Sequence, residues 1–231
     1  MKTIGLLGGM SWESTAEYYR LLNQLTRDRL GGLHSARCVL YSVDFAEIEQ
    51  LQTEGRWAEA GDLLAEAAGR LEAAGADLVL ICTNTMHKVA DRVQEGLSVP
   101  LLHLADATAD AVKTAGLTRI GLLGTAFTME QEFYRGRLAA AGLDVCVPDA
   151  DGRALVHRVI YEELCQGIVR EPSRTAYQRV IAGLVADGAQ GIILGCTEIE
   201  LLIGAGDSPV PVFPTARIHA EAAVEAALSA R

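Results

Sequence analysis

Short apolar runs alternating with longer amphipathic stretches predict an α/β chain: two pseudo-symmetric three-layer α/β/α domains, each with a mainly parallel sheet of about four strands. Two observations carry this reading. Leu78-Val79-Leu80-Ile81 and Ile192-Ile193-Leu194 are apolar throughout, as strands covered on both faces must be. The halves also repeat. Ile4-Gly5-Leu6-Leu7-Gly8 recurs as Ile120-Gly121-Leu122-Leu123-Gly124, 116 residues on, and Cys82-Thr83 recurs as Cys196-Thr197, 114 on. Val99-Pro100 recurs as Val210-Pro211, 111 on. Three landmarks in one order at nearly constant offset describe two copies of one unit. Residues 1–98 with 214–231 are expected to form the first domain and 99–213 the second. A ligand then belongs beyond the carboxyl ends of the strands, in the cleft between the domains.

In chain order, strands are expected at 3–7, 37–43, 77–82, 99–103, 119–123, 143–147, 191–195 and 210–213. Between them lie helical patterns. Leu63, Ala67 and Leu71 recur at i, i+4, i+8 with Ala60, Leu64 and Ala68 beside them. Ser14 with Glu17 reads as a capping box opening the first helix, Thr128 with Gln131 as its second-half counterpart, and Thr197 with Glu200 as a third. Residues 105–115 and 216–230 form equivalent helices that link or end the repeats.

The chain has 231 residues, half of them hydrophobic and 22% charged, which excludes disordered and fibrous classes. Its net charge of −10 and lack of any basic run argue against nucleic acid as a partner. No stretch approaches a membrane span, and Met1-Lys2-Thr3 leads into only four apolar residues, Ile4 to Leu7. A cytoplasmic location, away from membranes, is expected. Five scattered cysteines with no C-x-x-C pair read as free thiols.

Most free cysteines are small buried hydrophobes, and Cys38, Cys146 and Cys165 are read that way. Cys82 and Cys196 differ because they recur at equivalent strand ends, each before a polar helix opening. Helix N–H groups and the positive end of the helix dipole there would favour thiolate. Two thiols facing each other across the cleft can remove a proton from one face of a carbon and return one to the other, which is what stereoinversion requires.

Rival motifs are weaker. Gly5, Gly8 and Gly9 follow a strand, but in the pattern G-x-x-G-G rather than G-x-G-x-x-G, and no Walker lysine follows. His34, His87, His103, His157 and His219 form no metal motif, so no metal is expected. His87 reads as a structural or supporting residue near Cys82. Nothing supplies a lysine with a Gly-rich phosphate loop for pyridoxal phosphate, and no cofactor is expected.

Gly8-Gly9-Met10-Ser11-Trp12, Cys82-Thr83-Asn84-Thr85, Gly124-Thr125 with Thr128-Met129, and Gly195-Cys196-Thr197-Glu198 together resemble the aspartate/glutamate racemase family over essentially the whole chain. The likeness leans toward the bacterial branch that includes broad-specificity amino-acid racemases. It implies a cofactor-independent, commonly dimeric enzyme acting on a free amino acid, with Cys82 and Cys196 as paired acid–base thiols. Met10, Ser11, Thr83, Asn84, Thr85, Thr125, Thr128 and Thr197 match positions that hold the α-carboxylate and amino group. Gln52 and Glu163 match side-chain and ammonium contacts, and Glu198 stands just behind Cys196. Glutamate racemases of cell-wall synthesis carry Asp-Ser after the first strand and His after the second Cys-Thr. This chain has Gly8-Gly9-Met10-Ser11 and Glu198 instead. Dedicated aspartate racemases clamp the side-chain carboxylate with an Arg after the second strand and a Lys in the second domain. Here Glu47 to Gln52 and Cys165 to Ile168 hold no cation, so neutral amino acids become credible substrates. Alternatives are a related isomerase or decarboxylase with a nucleophilic cysteine, or a small-molecule binding module without chemistry.

Overall fold

A computed structural model describes residues 1–229. They divide into two compact units, one of Met1–Leu104 with the residues from His219 on, the other of Ala105–Ile218.

The first unit is built on β1 (Ile4–Gly8), with β2 (Cys38–Ser42) on one side and β3 (Leu78–Ile81) on the other, all parallel, in the order β2-β1-β3. β1 and β3 are buried at every residue, whereas β2 is a half-exposed edge. That difference is why β1 and β3 read as continuous apolar runs. Helices α1 (Trp12–Leu30), α2 (Phe45–Thr53), α3 (Trp57–Ala73) and α4 (Ala90–Glu95) complete the layers. α3 buries Ala60, Leu64, Ala67, Ala68 and Leu71 against Leu7, Val79 and Ile81 of the sheet. Each leucine so buried contributes about 1.5–3 kcal/mol. Gly5 lets this helix approach, because a Cβ there would lie 2.9 Å from Ala76 Cβ and 3.3 Å from Leu71 Cβ.

The second unit has four parallel strands, β4 (Arg119–Gly124), β5 (Asp144–Cys146), β6 (Ile192–Gly195) and β7 (Val212–Pro214), in the order β5-β4-β6-β7. Its helices are α5 (Leu104–Thr114), α6 (Ala126–Glu130), α7 (Glu132–Ala140), α8 (Ala150–Glu162) and α9 (Glu171–Ala186). Asp106 of α5 pairs in bidentate fashion with Arg137 of α7, at 2.6 and 2.8 Å. The final helix, α10 (Thr215–Leu228), contributes its residues from His219 on to the first unit, where Ala227 O accepts from Lys2 N at 2.8 Å. No helix among the described residues is long and apolar enough to cross a membrane.

One expected strand is not a strand. Residues 99–103 make a single rung, Val79 with Leu101, through Val79 N to Pro100 O and Leu102 N to Val79 O. The groups that would extend the ladder are engaged by imidazoles. Leu102 O accepts from His219 Nε2 at 2.9 Å, and Leu104 N donates to His87 Nε2 at 3.2 Å. Among the described residues the first sheet therefore has three strands.

Candidate active site

In the first unit, β1 runs into Gly8 and Gly9. Gly9 has φ +93°, and a Cβ on it would lie 2.2 Å from Val43 O. A Cβ on Gly8 would strike Thr15. Gly9 N donates to Thr15 Oγ1, which in turn donates to Ser11 O, each at 2.8 Å. The pair is therefore needed for a tight turn against α1, and the turn leaves Met10 and Ser11 buried at the end of β1.

Ser11, not Ser14, caps α1: its Oγ accepts from Ser14 N at 3.2 Å. Ser14 lies inside the helix and donates through Oγ to Cys82 O at 2.8 Å. Cys82 N in turn donates to Leu7 O, so the cysteine extends β3 by one residue and is held from two sides. Beyond it Asn84 and Thr85 are buried, and Gln52 Nε2 of α2 reaches Met86 Sδ at 3.0 Å. His87 Nδ1 meets Thr83 O at 2.8 Å while its Nε2 accepts from Leu104 N. A carbonyl can only accept, so His87 is the neutral Nδ1–H tautomer that ties down the segment after Cys82. Its ring packs against those of His103 and His219.

The second unit repeats the design. β4 ends at Gly124, where a Cβ would lie 2.9 Å from Gly195 O. Thr125, not Thr128, caps α6, its Oγ1 accepting from Thr128 N at 3.3 Å. Thr125, Thr128 and Thr197 are buried. The Cys196 thiol donates to Glu198 Oε2 at 3.0 Å, with both residues buried. Glu163, also buried, accepts from Ser173 Oγ at 2.7 Å and lies 4.0 Å from Arg170 Nη1. Tyr177 is buried, its hydroxyl donating to Val156 O at 3.0 Å. Burial pushes that hydroxyl well up, with Cys196, Glu163 and Cys165 adding to it.

Two expectations need correction. The segments after the cysteines are short 3₁₀ turns, Thr85–Val89 and Thr197–Leu201, not α-helix openings. Cys196 makes no side-chain cap, and Glu200 Oε1 accepts from Ala216 N instead of closing a capping box. Nor do the surroundings of the two thiols favour thiolate. Burial pushes the Cys82 thiol far up, with Cys38 adding to it. Burial and then the Glu198 charge do the same to Cys196. Arg56, half exposed at the surface, is engaged by Glu54 and Glu59.

Sequence reasoning missed the Ser14 clamp and the true caps. A signal for the caps was present, because Ser11 and Thr125 stand 114 residues apart, the offset that relates the cysteines. Arg170 also escaped notice, two residues past the stretch searched for a cation.

The Asp/Glu/Hydantoin racemase family profile matches residues 7–223. A provisionally named Asp/Glu racemase from Yersinia pestis is 59% identical, with a TM-score of 0.93 over 99% of this chain and 100% of its own. PH1733 from Pyrococcus horikoshii OT3, an aspartate racemase homologue, is 36% identical, with a TM-score of 0.87 over 99% and 100%. The broad-specificity amino-acid racemase RacX of Bacillus subtilis is 23% identical over 168 residues, 71% of this chain and 70% of RacX. With the fold, the paired cysteine motifs and this match in agreement, the chain belongs to the Asp/Glu/hydantoin racemase family.

Proposed function

We propose that this protein racemises free amino acids without a cofactor, Cys82 and Cys196 exchanging the Cα proton on opposite faces of the substrate. The observation that carries the reading is the matched pair of Cys-Thr strand ends, each beside a hydroxyl-capped helix start, Ser11 in one unit and Thr125 in the other. Hydroxyls of Ser11, Thr83, Thr85, Thr125, Thr128 and Thr197, with the Asn84 amide, would hold the α-carboxylate and amino group. Gln52 is assigned to the substrate side chain and Glu163 to its ammonium. Met10 is assigned, with Ser11, to the same α-carboxylate and amino-group contacts.

Both thiols rest protonated, so the base must be generated when substrate arrives. The substrate's α-ammonium brings a positive charge that favours thiolate. One thiolate then takes the Cα proton, the electron pair is held on Cα and into the α-carboxylate, and the opposite thiol returns a proton to the other face.

Neutral amino acids belong within the substrate range, because neither stretch expected to clamp a side-chain carboxylate supplies a cation and Arg56 is taken. A homodimer in the cytoplasm is the expected setting. The test is optical rotation of an amino-acid panel with purified protein and no added pyridoxal phosphate or metal. At least one neutral amino acid should racemise at a rate comparable to aspartate or glutamate. Activity that needs an added cofactor would overturn the mechanism, and turnover of the acidic pair alone would overturn the specificity. A related isomerase or decarboxylase would consume substrate without restoring the opposite enantiomer, and a binding module would do neither.

A further inference from the structure

The repeat that relates the cysteines breaks two residues beyond them. At the offset of 114 that pairs Cys82 with Cys196 and Thr83 with Thr197, Asn84 stands opposite Glu198. One half carries a neutral amide and the other a carboxylate. That carboxylate is buried, 6% exposed, and accepts the Cys196 thiol proton at 3.0 Å. Placing a carboxylate out of water is costly, and a fold indifferent to charge there had an amide of similar shape available. Cys196 itself is buried, and the Glu198 carboxylate is the acceptor that the structure sets against its sulfur.

We propose that Glu198 is the proton acceptor of Cys196 and makes the two thiols unequal: Cys196 rests as the acid, and it becomes a base only by passing its proton to Glu198. The inference rests on the racemase reading and adds a division of labour to it. In the step, the Cys196 S–H bond breaks as a Glu198 Oε2–H bond forms, giving thiolate and carboxylic acid. The thiolate then takes the Cα proton, Cys82 protonates the opposite face, and Glu198 releases its proton to restore Cys82 through water. Protons and charge balance, and nothing is oxidised. Glu198 touches Cys196 rather than the reacting carbon and so acts as a positioning and proton-holding residue. Burial, and next the Glu198 charge, both hold the Cys196 thiol protonated, in keeping with its resting role.

Enantiomers have equal free energy, so any variant must lower kcat/KM for both hands equally, and rate alone cannot locate the defect. Primary isotope effects can. The hand deprotonated by Cys196 is identified with Cys82→Ser, which keeps that thiol alone. With Glu198→Gln, kcat/KM should fall at least about tenfold, the lower end of what a placed proton acceptor supplies. The α-deuterium isotope effect should rise for the Cys196 hand and fall toward its small equilibrium value for the other, because the Cys196 step has become limiting. Glu198→Asp, which keeps a carboxylate one methylene shorter, should recover part of the rate and show the same directional shift, smaller. This holds even if Glu198→Gln folds poorly. Isotope effects unchanged, or moved alike for both hands, would overturn the proposal while leaving the racemase reading intact. A wild-type protein inert on the amino-acid panel would overturn both.

Discussion

Replacing His219 with leucine tests how the first unit is tied together. His219 is fully buried, its Nε2–H donating to Leu102 O and its Nδ1 accepting from the Tyr18 hydroxyl, each at 2.9 Å. Leucine takes a donor from one buried group and an acceptor from another, at about 1–3 kcal/mol each, so the loss at pH 7 is about 2–6 kcal/mol. The pH dependence is the sharper consequence. Burial depresses the imidazole from its ordinary 6.5 to about 4. Between those values the unfolded chain binds the proton and the folded one does not, so the stability that depends on a neutral His219 is fully present above about pH 6.5 and lost as pH falls to about 4. A depression of some 2.5 units at ~1.36 kcal/mol per unit amounts to about 3 kcal/mol. Urea unfolding of both proteins, followed by far-ultraviolet circular dichroism at pH 7, 6, 5 and 4, reads this directly. The gap between wild type and His219→Leu should narrow by about 3 kcal/mol across that range, because titrations far from His219 are common to both. A gap that stays constant with pH would refute the assignment of a neutral, buried His219.

Ser14→Ala removes the hydroxyl that holds Cys82 O, and kcat should fall about tenfold, the equivalent of about 1.4 kcal/mol, with KM little changed. An unchanged kcat would show that the clamp does not place the thiol. Gly9→Ala combines a positive φ with a Cβ 2.2 Å from Val43 O, whereas Gly75→Ala has the same sign of φ, +95°, and open space. The first should be more destabilising by at least about 1 kcal/mol, since only the second is limited to backbone strain. Equal losses in denaturant titrations would mean that the turn after β1 relaxes. Alkylation of Cys82 and Cys196 by iodoacetamide, followed peptide by peptide by mass spectrometry, should be slow at pH 7 and still climbing at pH 9, because burial raises both thiols. A plateau near neutral pH would contradict that.

Periodicity and repetition made most of the fold readable. β1 and β3 are apolar throughout because both faces are covered, and β4 and β6 repeat them for the same reason. What escaped depended on partners far away in sequence. Residues 99–103 have the composition of a strand, yet His219, more than a hundred residues later, occupies Leu102 O. Ser14 followed by Glu17 satisfies the capping pattern, but the chain turned one residue past Met10, and Ser11 took the cap while Ser14 was left to reach Cys82. The two cysteines and their threonines could be picked out by their common offset. The environment of each thiol could not, because burial and the Glu198 contact arise only when the surrounding layers close. Hence the sequence-based expectation of thiolates gave way to protonated thiols.

Partial reactions of the two single-cysteine variants test the paired-thiol mechanism most directly. A serine hydroxyl is too weak an acid to supply the base at neutral pH, whereas a thiol with its ordinary pKa of about 8.5 can when substrate favours the thiolate. Cys82→Ser and Cys196→Ser should therefore each lose racemisation by several orders of magnitude while the surviving thiol still removes a proton from one face. Given the two enantiomers of an amino acid with chloride on its β-carbon, each variant should eliminate chloride from one hand only, and the two variants should choose opposite hands. If both prefer the same hand, or if either racemises at near the wild-type rate, Cys82 and Cys196 do not flank one α-carbon, and the account fails.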